Sequence, residues 1–194
     1  MEISEPAYWS KQYLTGKNGW DIGAVSAPLR QYFEQLTDKS IRILIPGAGY
    51  GWEAQFLFES GFVNIDVLDF APEAMLAFKK HNSRFPEKQC IVADFFEHTG
   101  KYDLIVEQTF FCALPRSRRA DYVSKMFDLL RPQGRLTGLL FNHEFKEAGP
   151  PFGGTEAEYR RLFDAHFEFA VFETAVNSIK PRHLREFFFS CRPK

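Results

Sequence analysis

The chain has 194 residues, a formal net charge of −1, and hydrophobic and charged shares of 45% and 25%, the composition of one folded domain rather than of a disordered chain. The near-neutral balance gives no electrostatic reason to expect a nucleic-acid partner, no apolar run approaches the roughly 20 residues of a membrane span, and Met1–Ser10 lacks the charged and apolar regions of a signal peptide. Cys90, Cys112 and Cys191 show no metal-ligand spacing, so the expectation is a reducing, cytoplasmic setting and no metal site.

The first forty residues precede the first clear strand. They carry aromatic positions at Tyr8, Trp9, Tyr13 and Trp20, then a helix from Pro28 to Leu36 with Leu29, Tyr32, Phe33 and Leu36 on one face. Ile41–Ile45 reads as a strand ended by Pro46-Gly47-Ala48-Gly49. Glu53–Glu59 reads as a helix stopped at Gly61. Ile65–Leu68 is a second strand ending at Asp69, and Pro72 opens a helix to about His81. Strands follow at Cys90–Ala93, before Asp94, and at Asp103–Val106, before Glu107-Gln108. The basic cluster Arg116-Ser117-Arg118-Arg119 reads as the solvated start of a helix after Pro115. Tyr122–Leu130 is amphipathic and closed by Pro132-Gln133-Gly134, Arg135–Phe141 is a fifth strand, Glu156–Phe163 a helix, and Phe167–Glu173 and His183–Cys191 two more strands. Short apolar strands alternating with helices imply a doubly wound, Rossmann-like α/β fold. The expected sheet is seven-stranded and mostly parallel, with the last two strands antiparallel at one edge and helices on both faces.

Gly47, Asp69, Asp94, Glu107, Gln108 and Asn142 all follow directly on an apolar strand. Each alone reads equally well as a cap or turn former. In a parallel sheet, however, those strand ends share one edge, where open α/β folds bind ligands. Gly47-Ala48-Gly49-Tyr50-Gly51 permits close backbone approach to a ligand. Asp69, about twenty residues on, is placed to accept ribose hydroxyls. Asp94 can accept from an exocyclic amine, and Phe95 offers apolar surface to an adenine. A dinucleotide fingerprint would need a third glycine at position 52, where Trp52 stands, followed by Glu53. Those residues argue against two phosphates, and so against a nicotinamide-dependent oxidoreductase.

With these residues in hand, the sequence resembles the thiopurine S-methyltransferase family, and within it the harmless-to-ozone-layer type halide and thiol methyltransferases. The resemblance runs from about Trp9 to Tyr159. It is carried by Trp9-x3-Tyr13-x6-Trp20-Asp21-x-Gly23, Ile45-Pro46-Gly47-Ala48-Gly49-Tyr50-Gly51, Asp94-Phe95-Phe96, Tyr102–Ala113 and Gly149-Pro150-Pro151-Phe152. It implies one S-adenosylmethionine-dependent domain over 1–194, with residues 1–40 a cofactor lid and 41–194 the core. Trp9, Tyr13 and Trp20 would fold over the cofactor, while Gly47, Gly49, Asp69, Asp94 and Phe95 bind the rest of it. Gln108 would lie near its methionine end and the acceptor. Tyr13 stands where halide-methylating members commonly have Trp, Ala48 replaces a frequent Cys, and Gln108 replaces Tyr or Arg.

Methyl transfer from S-adenosylmethionine is an in-line displacement, so the protein's main task is alignment. A thiolate, thiocyanate or halide needs little base help, and the sequence shows no nucleophilic triad, so no catalytic residue is assigned. Tyr13 and Trp20 can present π faces to a sulfonium; the plainer reading packs them on an N-terminal helix. Trp20, Gln108, Asn142 and Phe152 are the candidate acceptor-pocket residues. His143 reads more simply as surface loop, and Cys112 as a buried apolar residue. The expected partner is a small-molecule acceptor and the expected state a monomer. An O- or N-methyltransferase and a non-catalytic S-adenosylmethionine-binding protein are the alternatives.

Overall fold

The computed structural model describes residues 2–194; Met1, the outer end of the expected lid, lies outside the described residues. Seven strands, β1 (Ile43–Pro46), β2 (Ile65–Asp69), β3 (Cys90–Val92), β4 (Tyr102–Gln108), β5 (Leu130–Phe141), β6 (Phe167–Thr174) and β7 (Glu186–Pro193), form one sheet in the order β3-β2-β1-β4-β5-β7-β6. Pairings from β3 across to β5 are parallel, and β7 runs antiparallel to both β5 and β6. The expected fold class holds. β7 inserts between β5 and β6, which puts β6 at the edge.

All of β1 and β2 is buried, because helices cover both faces. Successive residues alternate sides. Leu44, Leu68 and Ile105 face a core completed by α5 (Arg119–Leu129) and α6 (Glu156–Phe163), through Tyr122, Met126, Tyr159 and Phe163. Ile43, Ile45, Val67 and Val106 face the other core, closed by α2 (Ala27–Phe33), α3 (Trp52–Glu59) and α4 (Pro72–His81), through Leu29, Phe33, Leu57 and Phe78. An additional helix, α1 (Pro6–Leu14), lies against α4.

The elements depart from expectation where tertiary contacts intervene. The helix expected to Leu36 ends at Phe33. β5 starts at Leu130, with the Pro132–Gly134 turn looped out between the pairings of Leu130 and Arg135. β7 starts at Glu186 rather than His183, because a 3-10 turn over Lys180–Arg182 and a left-handed Leu184 (φ 58°) come first. The basic cluster leads into α5 after Pro115 as expected, with one exception. Arg119 is 3% exposed, and its guanidinium donates to Glu158 and to the carbonyls of Phe152 and Gly153. Arg116 pairs with Glu144, and Arg118 lies over the Phe96 ring. Arg116 and Ser117 stay exposed at this helix start, so of the cluster only Arg119 is withdrawn from water.

Candidate active site

The strand order reverses between β1 and β4, and the crevice opens at their carboxyl ends. The turn leaving β1 passes through left-handed glycines, two of which no other residue could replace. A Cβ at Gly47 would lie 2.5 Å from the Phe110 ring, and one at Gly51 would lie 2.1 Å from Phe78 of α4. Gly51 thus supplies the close helix packing that a glycine at position 52 would supply in a dinucleotide fold. Position 52 is released for another purpose, as the lid contacts below show.

Asp69, at the end of β2, is 8% exposed and accepts from the backbone N–H of Gly49 (3.3 Å) and of Ala71 (2.9 Å). Burial pushes its carboxyl up to about 6, opposed by those amides. Asp94, past the end of β3, is exposed; one oxygen accepts from Phe96 N–H at 2.8 Å, which leaves the other free. Phe95 is buried edge-on to Phe110, with ring centres 5.1 Å apart.

The N-terminal segment crosses this crevice as an aromatic cluster. Trp20 stands edge-on to Trp9 (5.6 Å) and Tyr13 (5.5 Å), and Tyr13 in turn to Tyr50 (5.6 Å). Burial, with Asp69 nearby, pushes the Tyr13 phenol far up, so it stays neutral. Four contacts tie the segment down. Asn18 donates to the Tyr50 hydroxyl (3.0 Å), the Trp52 indole N–H to Asp21 (2.7 Å), Ser26 N–H to Glu53 (3.2 Å), and Arg182 to the Trp20 carbonyl (2.6 Å). Tyr50 stands in the glycine turn and Trp52 and Glu53 open α3, so the residues that disfavour a pyrophosphate there serve as anchors.

Trp9, Tyr13, Trp20, Gly47, Gly49, Asp69, Asp94, Phe95 and Gln108 all line one cavity of about 520 Å³. From β4 onward its wall adds Phe110, Cys112, Phe141, His143, Pro150, Arg182 and Arg185. Two expected acceptor residues do not line it. The Asn142 amide donates to the Leu184 carbonyl (2.9 Å), and Phe152 N–H donates to the Cys112 carbonyl (2.7 Å), so both brace loops behind the wall. Glu107 is fully buried and outside the wall. His143, read as surface loop, is in the wall between Phe141 and Phe145, and neither ring nitrogen makes a well-formed hydrogen bond. Burial and then the Arg185 charge hold its imidazole below the ordinary value, opposed by an Arg185 backbone contact and by Glu144. Arg182 and Arg185 gave no local signal in the sequence; Arg182 meets the Trp20 carbonyl 162 residues away. Trp52 did give one: a bulky polar-edged ring at a position that helix packing alone would leave small.

The sequence model of the thiopurine S-methyltransferase family matches residues 4–187. A probable thiol methyltransferase 2 of Arabidopsis thaliana is 30% identical over 167 residues, covering 84% of this chain and 74% of that protein. Thiocyanate methyltransferase 1 of Brassica oleracea is 25% identical, covering 95% and 84%. Among solved structures, the 1,6-didemethyltoxoflavin-N1-methyltransferase of Burkholderia thailandensis superposes with a TM-score of 0.76 at 19% identity, over 97% of this chain and 87% of that one; it shares the fold.

Proposed function

We propose an acceptor on one premise: this chain belongs to the thiopurine S-methyltransferase family, and it is an S-adenosylmethionine-dependent methyltransferase acting on a small molecule. The acceptor is a thiol, aromatic or heterocyclic, or a small soft anion such as thiocyanate or a halide. One observation carries this reading. Among the described residues, the cavity's carboxylates (Asp21, Glu53, Asp69 and Asp94) come from the lid and from β1–β3. The wall contributed from β4 onward holds aromatic, proline and arginine side chains and no acid. Such a wall favours an anionic, polarisable nucleophile over one that must first surrender a proton to a carboxylate.

The residues present fit the cofactor. Asp69 keeps acceptor capacity beyond its two amides for a pair of ribose hydroxyls, and Asp94 has an oxygen free for an exocyclic amine. The glycine turn leaves room for a nucleoside, and Trp52 and Glu53 disfavour phosphates that S-adenosylmethionine does not carry. When bound, S-adenosylmethionine supplies a methyl group on a sulfonium, which is already a good leaving group. Tyr13 and Trp20 line the cavity beside the glycine turn and would exclude water from that positive charge, and a ring face meeting it would add about 0.5–2 kcal/mol. Gln108 and the aromatic wall orient the acceptor. Residues 1–40 act as lid to a single catalytic unit, which works as a cytoplasmic monomer without nucleic acid.

His143 favours one second reading, an O- or N-acceptor, since a neutral imidazole in the wall can take a proton. A panel of thiophenol, thiocyanate, iodide, a phenol and an amine, assayed by S-adenosylhomocysteine release, separates the two. Turnover of the first three, unaffected by His143→Gln, is expected. Turnover of the phenol or amine alone would overturn the soft-acceptor reading.

A further inference from the structure

The acceptor wall is built largely from the strand ends Gln108 and Phe141 and the two loops that follow them, 109–115 and 142–153, whose only regular structure is a 3-10 turn at Phe111–Ala113. Beneath them lie two charged side chains that do not line the cavity. Glu107 is fully buried. One of its oxygens accepts from the backbone N–H of Phe110 (2.8 Å) and of Phe111 (2.9 Å), and the other from the Tyr122 hydroxyl (2.6 Å). Gly138, opposite on β5, makes room, since a Cβ there would fall 2.3 Å from the Glu107 carbonyl oxygen. The turn so held includes Thr109, whose φ of 57° is a left-handed conformation that a β-branched residue adopts only under constraint. It turns Gln108 and Phe110 into the wall.

Arg119 grips the second loop. It donates to the carbonyls of Phe152 (3.2 Å) and Gly153 (2.9 Å) and to Glu158 (2.6 Å), with its guanidinium 4.7 Å from the centre of the Phe111 ring. Gly153 is pressed so closely on His143 that a Cβ would overlap the His143 carbonyl oxygen, so the grip reaches a wall residue directly. The two loops are stitched together where Phe152 N–H meets the Cys112 carbonyl.

We propose that Glu107 and Arg119 are positioning residues that form a buried clamp, setting the shape of the acceptor wall and thereby the selectivity among acceptors. A carboxylate and a guanidinium suit the task because the groups to be held are backbone N–H on one loop and carbonyls on the other. The Arg119 bonds to carbonyls are charge-assisted and about twice as strong as neutral ones, whereas burial pushes the Glu107 carboxyl up to about 7, so its oxygens hold the amides as acceptors rather than by charge. The proposal rests on reading the two loops as the acceptor wall.

Arg119→Lys removes the fork that spans two carbonyls and an acid. Glu107→Met removes the acceptor for two amides, whereas Glu107→Gln retains an oxygen for both. Steady-state kinetics with thiophenol and thiocyanate, beside calorimetric binding of S-adenosylhomocysteine, test the clamp. Arg119→Lys and Glu107→Met should raise the thiophenol KM about tenfold or more and shift the thiophenol-to-thiocyanate selectivity. Cofactor-product affinity should stay within about threefold of wild type, and Glu107→Gln should match wild type throughout. A folded Arg119→Lys protein with unchanged KM and selectivity would overturn the clamp. So would a loss of S-adenosylhomocysteine affinity equal to the loss in acceptor use. If Arg119→Lys does not fold, equal behaviour of Glu107→Met and Glu107→Gln overturns it. Gln108→Ala is the control: an unchanged acceptor KM there, or no thiophenol turnover by the wild type, removes the wall reading and the clamp with it. A raised KM in Gln108→Ala beside a silent Arg119→Lys removes the clamp alone.

Discussion

The two halves of the cavity are built by different means. On the β1–β3 side, each polar group follows directly on its strand, as Gly47 follows β1 and Asp69 ends β2, and its hydrogen bonds reach neighbouring turns. On the β4–β7 side, the wall sits on long loops held by a buried ion from another element, Arg119 on Phe152, and Arg182 reaches across in the same long-range way to the N-terminal segment at Trp20. A strand end is positioned by the sheet itself, so one side chain suffices. A loop has no such frame, and its backbone groups must find partners elsewhere. On the function proposed above, the first arrangement would suit a cofactor common to a family, and the second would allow the acceptor to change by re-gripping a loop.

The largest effect that this contrast implies is on the long-range side. Arg182→Met strips the counterion from Glu186, which is 3% exposed, and releases the Trp20 carbonyl. Removing one partner of a buried pair costs about 3 kcal/mol. Calorimetry should therefore find Tm lowered by roughly 6–12 °C. An unchanged Tm would mean that the buried Arg182 does not hold the N-terminal segment, and the long-range half of the contrast would fall.

On the local side, Asp69→Ala should leave the fold intact while S-adenosylhomocysteine affinity drops roughly 10–100-fold, the worth of a charge-assisted bond. Titration calorimetry that returned wild-type affinity would strip Asp69 of its role. The smallest effect sharpens the same point. Above a carboxyl value of about 6 Asp69 is ionised and accepts; below it the group holds its own proton. Affinity measured between pH 7 and pH 5.5 should thus fall about fourfold in the wild type and stay level in Asp69→Asn. A wild-type slope that persists in Asp69→Asn would assign it to another group.

Most of the architecture was legible because its signals are local. β-Branched runs broken by glycine or aspartate mark β1, β2 and β3, and the Pro72 start and amphipathic spacing mark α4. The start of β7 was not, because a 3-10 turn and Leu184 are set by the docking of Arg182 rather than by their own preferences. Cofactor-side residues were read from strand ends and from family resemblance together, and every one of them reaches the cavity. Toward β4–β7, Asn142 was placed by its strand end and Phe152 by the Gly149-Pro150-Pro151-Phe152 motif, and both brace the wall from behind, while His143 was underrated and Arg182 and Arg185 left no trace.

By itself, then, the sequence determined the sheet, the glycine turn and the two acids, since alternation, turn chemistry and strand ends act over a few residues. Only the tertiary structure decided that Arg119 is buried, that Glu107 stays out of the cavity wall, and that Trp52 and Arg182 hold the N-terminal segment. Each of those depends on which distant backbone group is left needing a partner, and pattern along the chain does not encode that.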